Sequence, residues 1–374
     1  MSLEKLAEIS CLYGANPEYV IAGGGNTSFK DNEFLYIKAS GTSLAHAKPA
    51  DFVKMDRRAL AAIWEKNYPS GTDAREAAVL ADMMAARCTG EEAKRPSVET
   101  LLHDLLPFAY VVHTHPSLVN GLTCSQYGEK AMNELFPGAF WIPLVNPGYI
   151  LSKVVRDTLY AAKTDQTRAE NKLVIFLQNH GVFVAANSTE EIIETYKNIM
   201  GTLNLKISQK PDFGNETDKY ESSELAAKEL AGFYKKTYPE KNWFVRFIRN
   251  NQIAAFTADA ASFAPVSSAF SPDHIVYSGS DPLFINEIPE LEKAFSAHVK
   301  KTGLIPKIIA VKSLGIFGVG NSENAAENAV ELFRDTVRIT VYAENFGGRL
   351  FMNKQMIDFI NNWEVERYRS GLIK

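Results

Sequence analysis

The sequence holds little histidine and less cysteine, seven and three residues respectively in 374. Cys11, Cys88 and Cys124 are widely separated, odd in number and never spaced as C-x-x-C, which argues against a disulfide framework and a cysteine-built metal site and matches a reducing compartment. No apolar run approaches the roughly 20 residues that a bilayer-spanning helix needs. The N-terminal MSLEKLAEISCLYG reads as an amphipathic helix without the uninterrupted apolar core of a signal peptide, so the expected location is the cytoplasm. Charge of either sign is not in excess: 40 Lys and Arg stand against 44 Asp and Glu, which makes no case for nucleic acid or an anionic membrane as partner. Nucleotide fingerprints are missing too, both G-x-x-x-x-G-K-[ST] and a G-x-G-x-x-G in a βαβ frame near the N-terminus. With 46% hydrophobic and 22% charged residues the composition is that of a globular protein, and the length favours two domains.

Against that scarcity, three histidines cluster. His113 and His115 lie in VVHTHPS and His180 in VIFLQNHGVFV, each at the end of an apolar run. Residues two apart on a strand share a face, so the first two imidazoles converge on one point. A third from another strand end makes an open three-histidine site, the arrangement of a catalytic zinc with one position left for substrate. Lone histidines more often cap or hydrogen-bond strand ends, and that remains the competing reading of each taken singly.

Helices alternate with short strands through the first half. A helix over 2–13 leads to the glycine-rich turn Gly23-Gly24-Gly25-Asn26-Thr27-Ser28; a strand from Glu33 to Lys38 precedes a second turn, Ala39-Ser40-Gly41-Thr42. Helices are predicted near 73–88, 98–105 and 151–162, strands near 109–114 and 173–178, and a helix from Ser188, a plausible N-cap, to about 206. The polar segment 209–221 (QKPDFGNETDKYE) divides a domain over 1–208 from a second α/β domain over 222–374 that carries no metal site. One internal echo links them: VIFLQNHGVFVAANSTEE and IIAVKSLGIFGVGNSENA superpose with a shift of 134 residues, Gly181 on Gly315 and Ser188 on Ser322, with His180 falling on Leu314. The second domain then reads as a degenerate repeat.

Glycine-rich turns let backbone N–H groups approach an anion, and a helix start adds a favourable dipole. Gly25-Asn26, Ser40-Gly41 and Ser97, in PSVE at a helix start, are three such donor sets, enough to hold a phosphate monoester. Glu99 lies beside the third set and shortly before the histidine strand. A carboxylate near zinc but not bound to it can shuttle a proton, although a first-turn glutamate is also common for the helix dipole alone. His103 shares its helix face and reads as a supporting or structural residue.

Together these motifs resemble the class II aldolase/adducin family of zinc-dependent sugar-phosphate aldolases and epimerases. GGGNTS is similar to the family's phosphate turn, KASGTS to its second turn and PSVE to its Ser-Ser-Glu element, while His113, His115 and His180 match its zinc ligands in order. The likeness covers about 5–205. A closer one is to the aldolase half of bifunctional rhamnulose-1-phosphate aldolase/lactaldehyde dehydrogenase proteins, through RPSVETLLHDLLP, VVHTHP, FSPDHIVYSGSDPLFI and NWEVERY. The dehydrogenase half that follows in those proteins is not expected of this chain.

The resemblance implies an α/β fold: an αβα layered domain with a central mixed or antiparallel sheet, then a smaller α/β domain. It implies Zn2+ on the three histidines, bound to adjacent carbonyl and hydroxyl oxygens of a ketose 1-phosphate, with Glu99 moving the proton. Gly25, Asn26, Ser40, Gly41 and Ser97 would grip the phosphate, and Tyr149 would serve the aldehyde oxygen. Products would be dihydroxyacetone phosphate and an aldehyde such as lactaldehyde. A 4-epimerase using the same ion, and a non-catalytic adducin-like binding protein, are the alternatives. The family also implies a homo-oligomer, a tetramer by analogy. Val98 departs from its pattern, standing where many relatives have a second serine.

Overall fold

The structure is a computed structural model that describes residues 2–162, 171–220 and 222–365. Glu221, at the end of the predicted inter-domain segment, and the last residues of the NWEVERY motif lie outside the described residues. No helix among those described is long and apolar enough to cross a membrane. The chain forms two compact units, one of Met1–Val119 and Glu129–Leu205, the other of Asn120–Gly128 and Lys206–Lys374. The second unit thus begins after Leu205 and also takes in a short excursion, 120–128, that no local sequence feature marks. Within it the polar segment is docked: Thr217 bridges to Arg249, and Glu216 accepts from Asn250 at 3.1 Å and from Arg334 at 2.9 Å.

The first unit is built on seven strands, β1 (Asn26–Lys30), β2 (Phe34–Lys38), β3 (Phe52–Asp56), β4 (Tyr110–Thr114), β5 (Phe140–Ile142), β6 (Lys172–Leu177) and β7 (Gly181–Ala186), in the order β3-β2-β1-β4-β7-β6-β5. Neighbours are antiparallel except β5 and β6, so the sheet is mixed, as expected. Both faces are covered. Val111, Ile175, Phe183 and Ala185 pack with Leu102 of helix Thr100–Leu105 and with Leu151 and Val155 of helix Tyr149–Ala161. On the opposite face Tyr196, from helix Thr189–Asn204, donates to Val112 O at 3.1 Å and packs its ring on Tyr13 of helix Ser2–Gly14. Burial on two sides explains why GVFVAA is apolar at successive positions rather than alternating.

Two local expectations are corrected. Asn26, Thr27 and Ser28 are not part of the glycine turn but open β1, because their backbone pairs with β4. The helix placed over 98–105 begins at Thr100, which leaves Glu99 as its N-cap rather than in its first turn. His180 sits in the turn between β6 and β7, just past the strand end, as expected. Ser188 does cap the next helix, in a reciprocal box with Glu191.

The second unit carries a smaller sheet of β8 (Phe244–Ile248), β9 (Leu283–Ile285), β10 (Ile308–Val311) and β11 (Gly315–Gly320), ordered β8-β11-β10-β9. That order repeats β4-β7-β6-β5 with the same strand senses, including the one parallel edge pair. Register repeats as well: Tyr110 faces Ala186 and Phe244 faces Gly320, while Leu177 faces Gly181 and Val311 faces Gly315. Each residue of the second set is 134 on from its counterpart. Ser322 caps the following helix as Ser188 does.

Candidate metal and catalytic site

β4 lies at the middle of the first sheet, where His113 sits opposite Asn26 of β1 and Phe183 of β7. His115 comes one residue past the strand end and donates its N–H to Tyr19 O at 3.0 Å. His180 is brought in by the tight β6–β7 turn, in which Asn179 takes a left-handed backbone (φ 55°). One ligand atom from each of the three histidines lies within 4.8 Å of the others, and their rings stand 4.6–5.1 Å apart. The sequence-predicted trio therefore does converge.

Two neighbours that sequence reading missed shape it. Gly181 follows His180 where a Cβ would come within 2.5 Å of Thr114 O and 2.7 Å of His115 Cδ2, so only glycine lets the hairpin close onto the imidazoles. Phe183 stacks flat on His113 at 3.9 Å. The Val182 carbonyl, 3.0 Å from His113 Nδ1, accepts a hydrogen bond and so places that ring's proton on Nδ1, leaving the Nε2 lone pair toward the cluster. His115 Nε2 is 2.9 Å from it.

Glu99 is buried against the trio, with Oε2 3.6 Å from His113 Nε2 and Oε1 3.8 Å from His180 Nε2. Asn26 Nδ2 donates to Oε2 at 2.6 Å, whereas Oε1, also buried, has no hydrogen-bond partner among the described residues. An orphaned carboxylate oxygen beside three converging ring nitrogens is what a site awaiting a cation or a substrate proton looks like. Three imidazoles with an open position suit a divalent ion such as zinc.

The proposed anion-gripping residues come together in part. An Ala39–Pro96 bridge lays the Ser40-Gly41 turn against Ser97, and Ser40 N donates to Arg95 O at 2.7 Å. That amide is thus committed, while the Ser40 hydroxyl carries no hydrogen bond among the described residues. Gly25 holds φ 68° beneath the His113 carbonyl, where a Cβ would come within 2.8 Å. The Asn26 side chain, by contrast, is spent on Glu99 and His103, and its backbone on the ladder opposite His113, so the expected phosphate contact from Asn26 is not offered. Tyr149 is not brought to the histidines by any described contact. Its ring stacks with Trp64 at 5.7 Å and meets Tyr68 at 5.3 Å, at the margin of an apolar cluster that includes Leu60, Ile63 and Leu101.

Behind the site, Asn26, Ser28 and Lys30 project from the same side of β1 to helix Thr100–Leu105 and its cap. Ser28 Oγ is 2.7 Å from His103 Nδ1 and Lys30 Nζ donates to His103 O at 2.6 Å. Burial takes Lys30 down to about 7. Burial, then the nearby His113 and Lys30, hold His103 well below the ordinary imidazole range.

Among known proteins, the sequence matches the Class II Aldolase and Adducin N-terminal domain over residues 4–200, more than half of the chain. It is 22% identical over 415 residues to the protein named "Uncharacterized oxidoreductase YuxG" of Bacillus subtilis (strain 168). That alignment takes in 99% of this chain and 58% of the relative, so the chain spans under two thirds of the relative's length. The N-terminal class II aldolase domain of a conserved protein from Thermoplasma acidophilum is 23% identical with a TM-score of 0.45, over 54% of this chain and 92% of that one. For L-fuculose-1-phosphate aldolase from Thermus thermophilus the values are 15%, 0.34, 54% and 89%.

Proposed function

This chain belongs to the class II aldolase and adducin family, and from that premise we propose that its first unit is a zinc-dependent aldolase for a ketose 1-phosphate of the rhamnulose or fuculose type. It releases dihydroxyacetone phosphate and an aldehyde such as lactaldehyde. The observation that carries this reading is the meeting of three imidazoles, ligand atoms within 4.8 Å, beside a buried carboxylate with one oxygen unpartnered.

His113, His115 and His180 would hold the ion. What a zinc ion supplies there is Lewis acidity toward an enediolate. Breaking the carbon–carbon bond leaves its electron pair on the phosphate-bearing fragment, and the hydroxyl proton of the other fragment passes to solvent water as its carbonyl forms, balancing the proton that Glu99 gives to carbon. Glu99 delivers a proton to the enediolate carbon, through the oxygen that Asn26 does not occupy. Ser40, Gly41 and Ser97, with the backbone of Gly25, grip the phosphate by hydroxyls and N–H groups, an anion site that needs no lysine. Tyr149 has no part in this scheme. The family likeness further suggests a homo-oligomer.

The test is a panel of ketose 1-phosphates given to zinc-loaded protein, read as release of dihydroxyacetone phosphate. Full metal loading with no release from any substrate would sink the reading. Interconversion of 4-epimers without release would move it to the family's other reaction.

A further inference from the structure

His103 is not one of the imidazole trio, yet it stands in a buried line of polar groups that ends on Glu99. Ser28 Oγ meets His103 Nδ1 at 2.7 Å, His103 Nε2 meets Asn26 Oδ1, and Asn26 Nδ2 meets Glu99 Oε2 at 2.6 Å. All four side chains are buried, so none can turn to water for a substitute partner.

The direction of every bond in this line follows from its last member. Asn26 Nδ2 donates to Glu99 Oε2, so the nitrogen of the amide faces the carboxylate. The amide oxygen then faces His103, and an oxygen acceptor demands a proton on Nε2. A neutral imidazole carries one such proton, so Nδ1 accepts and the Ser28 hydroxyl donates. The opposite tautomer would set a nitrogen lone pair against Asn26 Oδ1; turning the amide to relieve it would drive its oxygen onto Glu99. Successive donors aligned the same way also strengthen one another.

We propose that His103, carrying its proton on Nε2, is a positioning residue: it fixes the Asn26 amide, which holds Glu99 Oε2 and leaves Oε1 as the oxygen that exchanges protons with substrate. The part concerning Glu99 rests on the function proposed above. The backbone of His103 is itself pinned by Lys30 Nζ on its carbonyl, and Phe183 stands edge-on to its ring at 5.4 Å while stacking on His113. The ring makes no hydrogen bond to the three histidines that is described; its hydrogen-bonded route to Glu99 runs through Asn26.

Two variants of the full chain separate this from simple packing. In His103→Gln the amide nitrogen reaches the place of Nε2 and can donate to Asn26; in His103→Asn the amide reaches only the place of Nδ1 and cannot. Both lose the ring. We expect zinc content and KM to stay near wild type in both. For His103→Asn kcat should fall roughly 10- to 100-fold, the usual effect of losing an outer-shell partner, while His103→Gln recovers most of that loss. Equal losses in the two variants would overturn the proposal. A second measurement does not depend on turnover or on the variants being active: long-range proton–nitrogen correlation on histidine-labelled wild-type protein should find His103 as the Nε2–H tautomer. An Nδ1–H or doubly protonated ring would overturn the proposal. Wild-type protein that cleaves no ketose phosphate but shows the Nε2–H tautomer would refute the aldolase reading and uphold the positioning.

Discussion

Asn179 and Ser313 hold the same left-handed backbone, φ 55° and 57°, in the tight turns of two hairpins whose strands share one register. The residue after each differs in kind: His180 in the first turn, Leu314 in the second. Where β4 leads through His113 to His115, the matching positions at β8 are Phe247 and Arg249. The Arg249 guanidinium donates to the carbonyls of Ser313 and Leu314 at 2.6 and 2.7 Å. One hairpin brings His180 to the rings of His113 and His115; the other is closed by the Arg249 guanidinium.

The protein should therefore bind one divalent ion per chain. Metal analysis after dialysis against limiting zinc should give a ratio near one for wild type and near zero for His113→Ala and His180→Ala. Leu314→His should still give one, because Phe247 and Arg249 supply no ligand. Two ions in wild type, or one retained by His180→Ala, would contradict the site.

Glu99→Gln should keep its metal and lose turnover by roughly 10^2- to 10^4-fold, the range for a general acid–base group. Exchange of solvent deuterium into dihydroxyacetone phosphate reads the proton step directly. A normal exchange rate in this variant would acquit Glu99.

Gly181→Ala pushes a methyl against Thr114 O and His115 Cδ2. We expect zinc affinity to drop roughly 10- to 100-fold, the range for disturbing a group that orients a metal ligand. Gly201→Ala is the control: nothing lies within 4 Å of a Cβ there, so in its helix alanine should stabilise by about 0.5–1 kcal/mol. Unchanged metal affinity in Gly181→Ala would mean the hairpin does not set the third ligand.

Lys30 gives a pH dependence whose sign can be worked out. Its amine titrates at about 7 when folded and at about 10.4 in an open chain. Between these values the unfolded chain binds the extra proton, so stability rises with pH from about 7 upward. Lys30→Met removes that contribution. Urea denaturation at pH 7 and pH 9 should show a smaller rise in the variant than in wild type; equal rises would mean the amine is not held down by burial.

Much of the site could be read along the chain because its signals are local. The H-x-H pair depends only on strand alternation, and Ser188-x-x-Glu191 on the first turn of a helix. The alternation Asn26-x-Ser28-x-Lys30 and the spacing Glu99-x-x-x-His103 were equally visible, yet their meaning was not. It emerges only when β1 is laid against the helix that follows Glu99, more than 70 residues later. Tyr149 shows the converse: its place at a helix start was close to legible, the helix expected from 151 opening at Tyr149 itself, but the partners of its ring, Trp64 and Tyr68, come from a helix end and loop some 80 residues earlier.

What the amino-acid order determined alone was the trio of converging histidines and the two-part repeat, since each follows from backbone periodicity. Tertiary structure decided which oxygen of Glu99 is free, which way Asn26 faces and that residues 120–128 belong with the second unit. Those outcomes turn on hydrogen-bond direction and packing between segments distant in sequence, and in a buried place each donor has one acceptor within reach.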